Sequence, residues 1–423
     1  MSKTVNRKVF SVSLGGIMIK TENLVELYFM EDITRPMMNG FLSFYDRTGL
    51  MELKPITGNE VVAIKYGDVD DDDGIDISFL IFSINKVTPL AQFSGSNDTL
   101  IEMLLVDPLF HMLTVQKYST SWPEGTLLSD IIKDLCSNVL DYGTDSTTAG
   151  NIWDWEDSIE KIGTGEGTIP SFYMPYWNIL ETINWLMRRC SGSISGLPGY
   201  VFYNSPKGLS FVTLENLMVN EKIEKNEEGK TLTYRFTSDD VEDDCKILSW
   251  SLHPVDKQSF VGLLGGHKMG YDHNNKMLMD AQYDYEEVIK NYTLLGNKTF
   301  FTENYNVDAR VDMEGDNDYN ILENIGRHDF IRRYISQMAM VITVRGAERR
   351  YAGGIIDIMW PSVQKGDTNK NLQGYWMIKA ITHHFSGTGP YYQQKMTLMK
   401  TAYSDSDVKV LMKSGKNRVV RGI

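Results

Sequence analysis

A chain of 423 residues is long enough for two to four domains that each bury a core, and 42% apolar with 23% charged residues is the composition of a soluble globular protein. The formal charge of −14 argues against a nucleic-acid-binding surface, which needs clustered Lys and Arg to displace counterions. No run approaches the roughly 18 apolar residues of a membrane span, and the basic start Met1–Lys8 leads into alternating residues rather than a signal-peptide core, so synthesis in a cytoplasm is expected.

The first hundred residues alternate apolar with polar, which is the period of half-buried strands. Strands are predicted at 9–14, 24–30, 40–45, 60–66, 78–87 and 99–106, with an acidic loop Asp68–Asp76 between the fourth and fifth. Six strands and no long helical pattern predict a small antiparallel barrel or sandwich over 1–110. After Asp107-Pro108 the pattern changes to α+β over 111–238. Residues Thr126–Cys136 have helical spacing, with Gly125 or Thr126 as the cap, and Pro175–Arg189 forms a second apolar helical face. A polar loop lies between them, over 141–167. Gly199–Asn204 and Gly208–Thr213 predict a hairpin around Pro206-Lys207.

Lys246–Leu252 reads as a strand, and residues 255–337, rich in Asn, Asp and Tyr, read as an inserted loop-rich subdomain with no firm assignment over 320–336. Strands return at Gly354–Trp360, Gly374–Phe385 and Tyr391–Lys400. The order strand, polar loop, strand, Gly-containing turn, strand also occurs near the amino terminus. Gly58 to Ile84 is 26 positions and Gly354 to Ile381 is 27. The expected architecture is therefore mainly β with α+β insertions: two related antiparallel barrels, at 1–110 and at 239–254 with 338–405, followed by a basic tail 406–423 carrying Lys409, Lys413, Lys416, Arg418 and Arg421.

No residue pattern demands chemistry. His253, His267 and His273 are close in sequence but match no helical metal-ligand spacing. His383 and His384 are neighbours on a strand and so face opposite ways. Asp70–Asp73 with Gly74 lacks the ligand order of a calcium loop, and Gly163–Gly167 lacks the Lys-Ser/Thr of a phosphate loop. Cys136, Cys190 and Cys245 are too scattered for a disulfide framework or a CxxC site and read as buried apolar residues. Catalytic, metal and cofactor sites are therefore expected to be absent. Trp153, Trp155, Tyr173, Tyr176 and Trp177 cluster within 25 residues; rings of this kind fill cores, anchor protein partners or stack on sugars.

Several segments together resemble the baseplate hub proteins of phage tails. They are the amino-terminal barrel, Asp107–Phe110, the helix at Thr126–Cys136, Phe172–Arg189, Gly199–Tyr203 and the terminal hairpin Gly374–Leu398. The same architecture underlies the hub portion of type VI secretion spike proteins. The resemblance implies a non-enzymatic homotrimer whose six barrels adapt a hexameric tail tube to a trimeric central spike, in the baseplate of a virion. It further implies a tail tube or tube-initiator protein and a separate spike protein as partners, with tape measure and baseplate wedge proteins as further neighbours. DNA would pass through the lumen without specific binding. Two other readings stay open: a host-receptor or glycan-binding tail protein, and a cell-wall-degrading tail enzyme.

Overall fold

A strand with one apolar face is stable only when that face is covered and its backbone groups are paired. The computed structural model describes residues 7–403 except 54–55, 59, 69–73, 90–98, 144–149, 164–171, 219–221, 227, 237–242, 254–264, 273–274, 285–287, 290–291, 293, 296–310, 314–318, 336, 361–371 and 388–391. The amino-terminal part gives β1 (Arg7–Leu14), β2 (Ile17–Ile19), β3 (Leu24–Asp32), β4 (Asn39–Asp46), α1 (Leu50–Leu53), β5 (Val61–Asp68), β6 (Ile75–Pro89) and β7 (Thr99–Val106). The middle gives α2 (Leu109–Thr114), β8 (Lys117–Trp122), α3 (Leu128–Asn138), β9 (Tyr142–Gly143), β10 (Gly150–Trp155), β11 (Phe172–Asn178), α4 (Ile179–Met187), β12 (Tyr200–Ser205) and β13 (Gly208–Thr213). The remainder gives β14 (Thr233–Tyr234), β15 (Ser249–His253), β16 (Gly265–Asp272), β17 (Met277–Asp284), β18 (Val311–Met313), α5 (Tyr319–Ile335), β19 (Met338–Arg345), β20 (Ile355–Ile358), β21 (Gly374–Ser386) and β22 (Tyr392–Lys400).

The protein is mainly β with α+β insertions, as the alternation predicts. Thirteen strands form one sheet, in the order β15-β19-β22-β21-β3-β4-β7-β6-β5-β1-β2, with β20 also on β21 and β14 beyond β20. Its two halves share one plan. β3, β4, β7, β6 and β5 lie side by side and antiparallel. So do β15, β19, β22, β21 and β20. Chain order matches as well, once β16, β17, β18 and α5 are set aside as an insertion between β15 and β19. Both halves even carry a bulge at the same place. Phe82 is skipped between Ile81 and Ser83 opposite β7, and Lys379 between Ile378 and Ala380 opposite β22. A bulge leaves one residue unpaired and bends the strand.

The ring closure expected of barrels is not seen among the described residues. The pairing runs open from β15 to β2. The reason lies at β3, whose edge away from β4 is occupied by β21 from Asp32↔Ala380 to Glu26↔Ser386. The amino-terminal strands therefore cannot close on that edge. The first half buries Leu27, Phe29, Leu42, Phe79 and Met103 in a core that also takes in Phe385 and Tyr392 from the second half. The second half buries Met340, Ile342, Trp376, Ile381 and Leu398. Each such side chain contributes roughly 1.5–3 kcal/mol.

Between the halves in chain order come a four-stranded sheet, β12-β13-β10-β9, and the ribbon of β8 with β11; β9 and β10 lie within 141–167, where the sequence predicts a polar loop. The hairpin of β12 and β13 turns at Pro206-Lys207 as predicted. Helix α3 starts two residues later than expected. Thr126 does not cap it, because its hydroxyl donates to the Pro123 carbonyl at 2.8 Å. Instead the hydroxyl of Ser158, distant in sequence, accepts the free Ser129 N–H at 3.2 Å. The predicted helix over 175–189 is shorter, because Phe172–Asn178 is strand β11. Pro175 falls where pairing with β8 is interrupted between Met174 and Trp177, a position that needs no N–H. The helix begins where a capping box allows it: the Asn178 side chain accepts the Glu181 N–H at 2.7 Å and the Glu181 carboxylate accepts the Asn178 N–H at 3.3 Å.

The segment 255–337, expected to be loop-rich, is corrected in part: it holds the three-stranded sheet β17-β16-β18 with α5 packed across β16 and β17. The helix was hidden because its residues are apolar on more than one side. Ile321, Leu322, Ile325, Phe330, Ile331 and Tyr334 are all buried, so no single stripe stands out.

Candidate interaction site at the seam of the two sheet halves

The seam of β3 and β21 joins residues some 350 positions apart in the sequence, and a buried polar chain crosses it. The Glu31 carboxylate lies 3.0 Å from His383 Nε2, and His383 Nδ1 lies 2.6 Å from the Tyr392 hydroxyl. Gln394 Nε2 donates to that hydroxyl at 2.9 Å and to the Ala347 carbonyl at 2.9 Å, while its Oε1 accepts the Ala347 N–H and Arg350 Nη1. Glu31, His383 and Gln394 are all buried. Aromatic rings wall the chain in. Phe29 stacks on His383 with centroids 4.3 Å apart, and Phe385 stacks on Tyr392 at 4.4 Å. On the other face of β21, His384 meets Glu26 at 2.8 Å in a partly exposed pair. The two histidines thus point opposite ways, as adjacent strand positions must. The buried set holds one geometry; it presents no open cleft and no nucleophile.

The other residues singled out in the sequence are dispersed. His253 ends β15 and is exposed; His267 pairs with Asp280 at 3.0 Å on the neighbouring strand; His273 lies outside the described residues. Among the described residues no three His, Cys, Asp or Glu side chains are placed to hold a metal ion. Asp70–Asp73, Gly165–Gly167 and the tail 406–423 also lie outside the described residues. Cys136, Cys190 and Cys245 are free and buried. Burial raises the first two thiols and pushes Cys245 up to about 12, so none is a reactive thiolate. The aromatic cluster splits up. Trp155 packs on Phe211, Trp153 on Tyr351 and Trp177 on Trp185. Tyr173 and Tyr176, on the ribbon, are 73% and 70% exposed, with Lys117 over the Tyr176 ring at 5.9 Å.

Sequence reasoning passed over the buried polar junctions. Asp107 accepts the Leu109 N–H at 2.9 Å and Asn204 Nδ2 at 2.7 Å, tying the first half to α2 and β12. Burial raises its carboxyl, and these hydrogen bonds oppose the shift. Glu156 accepts the Thr213 N–H and hydroxyl at 2.9 and 2.6 Å, and Glu160 accepts the Ser191 N–H at 2.7 Å. Burial works to raise Asp329, but Arg188 and Lys268 at 3.2 and 3.1 Å outweigh it and hold the carboxyl low. A cavity of about 170 Å³ is lined by Lys222, Glu224, Arg349, Arg350 and Tyr351. Its charges are internally paired: Arg349 with Glu224 and Asp244, Lys222 with Asp154. These groups lie in strands, loops and helix α5 with no local sequence signature, so only the partners that folding brings near mark them.

Comparison with solved structures places this fold. The 43 kDa tail protein of prophage MuSo2 from Shewanella oneidensis matches with a TM-score of 0.55 at 10% identity, over 94% of this chain and 99% of that one. A tail protein from Neisseria meningitidis MC58 matches with a TM-score of 0.53 at 11% identity, again over 94% and 99%. A chain of a Francisella PdpA–VgrG complex matches at 0.50 and 11% identity, over 95% of this chain and 54% of that one. The chain therefore has the fold of phage tail proteins. No family model and no curated protein matches the sequence itself.

Proposed function

We propose that this chain, built on the phage tail fold, is the structural baseplate hub of a tail: a non-enzymatic homotrimer placed between the tail tube and a separate central spike protein. The observation that carries the reading is the repeated strand plan within one continuous sheet. Three chains with two alike halves each supply six alike units, which is the symmetry a hexameric tube requires on one side and a trimeric spike on the other. In this reading residues 1–110 and 239–254 with 338–405 are the ring units, and 111–238 and 255–337 decorate them. The protein would reside in the virion baseplate after synthesis in the host cytoplasm, beside tape measure and wedge proteins, with DNA passing through an unspecific lumen. Support comes from the full-length likeness to tail proteins and from the internal pairing of the buried charged groups described. Native mass measurement and binding to purified tube protein test it: a trimer that caps tubes is expected, and a stable monomer without tube affinity overturns it.

Exposed Tyr173 and Tyr176 on the β8–β11 ribbon favour a second reading, a receptor- or glycan-binding tail protein. Glycan-array binding that is lost in Tyr173→Ser with Tyr176→Ser, together with no affinity for tube protein, would establish it. Clearing of cell-wall substrate by the purified chain would establish the enzymatic alternative instead.

A further inference from the structure

The two halves share a plan, yet among the described residues only one of two equivalent edges is filled. In the second half, β21 pairs with β20 through Gly374–Met377, then bulges at Lys379 and pairs with β3 from Ala380 to Ser386 on that same edge. In the first half, β6 pairs with β5 through Ile75–Leu80 and bulges at Phe82. It bulges again at Asn85, a second bulge that β21 lacks, so equivalent positions are counted from the residues opposite on β7. From Ser83 to Pro89 no strand among the described residues pairs with that edge of β6. At the other end of the sheet β15, the counterpart of β3, pairs only with β19 among the described residues. The open edges expose apolar side chains: Phe82 59%, Val87 49% and Trp250 52%. Exposed apolar edge strands are templates for pairing with another chain.

We infer that the open edge of β6 receives β15 of a second copy of this chain, in the register that β21 and β3 use within one chain. The inference rests on the hub reading and specifies its chain-to-chain contact. The register follows from the shared plan. Opposite β7 and β22, Lys86, Val87 and Thr88 stand where Thr382, His383 and His384 stand. Opposite β4 and β19, Tyr28, Phe29 and Met30 correspond to Ser251, Leu252 and His253. Since His384 faces Tyr28 and His383 faces Phe29, Thr88 faces Ser251 and Val87 faces Leu252 across the new seam. An apolar pair thus replaces the stacked Phe29–His383 pair. The contact is head-to-tail, with different surfaces on the two partners, so it must close into a ring or propagate. Alternating this seam with the internal one closes three chains into six units.

Cysteine pairs test the register, because directly opposed strand residues bring Cβ atoms within about 4.5–5.5 Å. The native thiols are buried and stay in place. Under mild oxidation the full chain carrying Thr88→Cys with Ser251→Cys is expected to run as a covalent trimer without reductant. An equal mixture of the two single variants should give covalent dimers, and neither single variant alone should cross-link. Val87→Cys with Ser251→Cys, offset by one residue and so on opposite faces, should cross-link at least ~10-fold less. Self-linking of either single variant, or equal linking by the offset pair, overturns the register. A native trimer in which Thr88→Cys with Ser251→Cys fails to link overturns this seam and leaves the hub reading standing. A native monomer overturns both.

Discussion

Removing one member of the buried Glu31–His383 pair should weaken the protein far more than removing both. His383 lies in a sealed site between Phe29 and Tyr392, with the Glu31 carboxylate 3.0 Å from its Nε2 and neither side chain reachable by water. The second Glu31 oxygen has no hydrogen-bond partner among the described residues, so that carboxylate depends heavily on the imidazole. Deleting one partner of such a pair typically costs about 3–5 kcal/mol, whereas apolar replacement of both is close to neutral. Glu31→Leu and His383→Phe are each expected to lose roughly that much, and the double variant about 0–2 kcal/mol, because a phenyl ring fits the stack that Phe29 and Phe385 already form. Urea unfolding of all four proteins, read from midpoints at a common slope, gives the coupling. Additivity within about 0.5 kcal/mol would refute the reasoning, since it would mean that the two groups do not depend on each other.

Three further outcomes follow from single residues. His328 is fully buried with both ring nitrogens unpartnered among the described residues, and burial, reinforced by Arg332, pushes it down to about 3 from an ordinary 6.5. Below pH 6.5 the unfolded chain binds a proton that the folded chain does not, so stability falls with falling pH, by about 2 kcal/mol at pH 5; His328→Phe should flatten that part of the profile, and an unchanged slope would exclude His328 as its source. Burial likewise pushes Lys400 down to about 7 from 10.5, against the pull of Asp357. The unfolded chain then holds the extra proton between those values, so this group makes stability rise with pH from about 7 to 10.5. Lys400→Met also removes the bonds from its Nζ to the Leu372 and Gln373 carbonyls. The expected outcome is a flattened melting-temperature profile across that window, and an unchanged slope would exclude Lys400 as its source. A Cβ at Gly387 would strike the Leu24 carbonyl where the seam ends in the bond from the Gly387 N–H to the Val25 carbonyl; Gly387→Ala should cost about 2 kcal/mol or more, and faster hydrogen exchange at β3 and β21 amides would locate the loss there.

Most of the sheet was legible because strands with one buried face announce themselves by alternation. Val12 and Leu14, or Ile101, Met103 and Leu105, sit on one side of their strands as the pattern requires. Strand β19 alternates over Met338–Arg345 but does not stand out in the sequence, because it follows directly on α5, whose several buried sides blur the period. The shared plan of the two halves is visible as a sequence of elements, but the open pairing that stands in place of two closed barrels is not. Whether β3 pairs with its own half or with β21 depends on an edge choice between residues some 350 positions apart, and local sequence carries no record of it. The same holds for the seam. Adjacent His383 and His384 must face opposite sides of a strand, yet Glu31, Tyr392 and Gln394 have no signature beyond their alternation. Asp107 did mark a boundary through Asp107-Pro108, and the structure gives the cause: its carboxylate accepts the Leu109 N–H at the start of α2.

Backbone pairing at the seam separates two requirements that side-chain packing alone would entangle. The hydrogen bonds of β3 with β21 fix the spacing and tilt of one half against the other whatever the side chains are. The residues lining the seam can then differ between equivalent places without changing that geometry. In the proposed ring this matters, because the six units are alike only in their strand order. The first half leads from β7 into α2 and the exposed β8–β11 ribbon, while the second half carries β16, β17, β18 and α5 between β15 and β19. Six equal sheet segments would thus present a nearly six-fold wall, and the insertions, present once per chain, would impose three-fold character on the surfaces that bear them. A single sheet plan used twice therefore allows one chain to meet two symmetries, provided that the second seam repeats the geometry of the first.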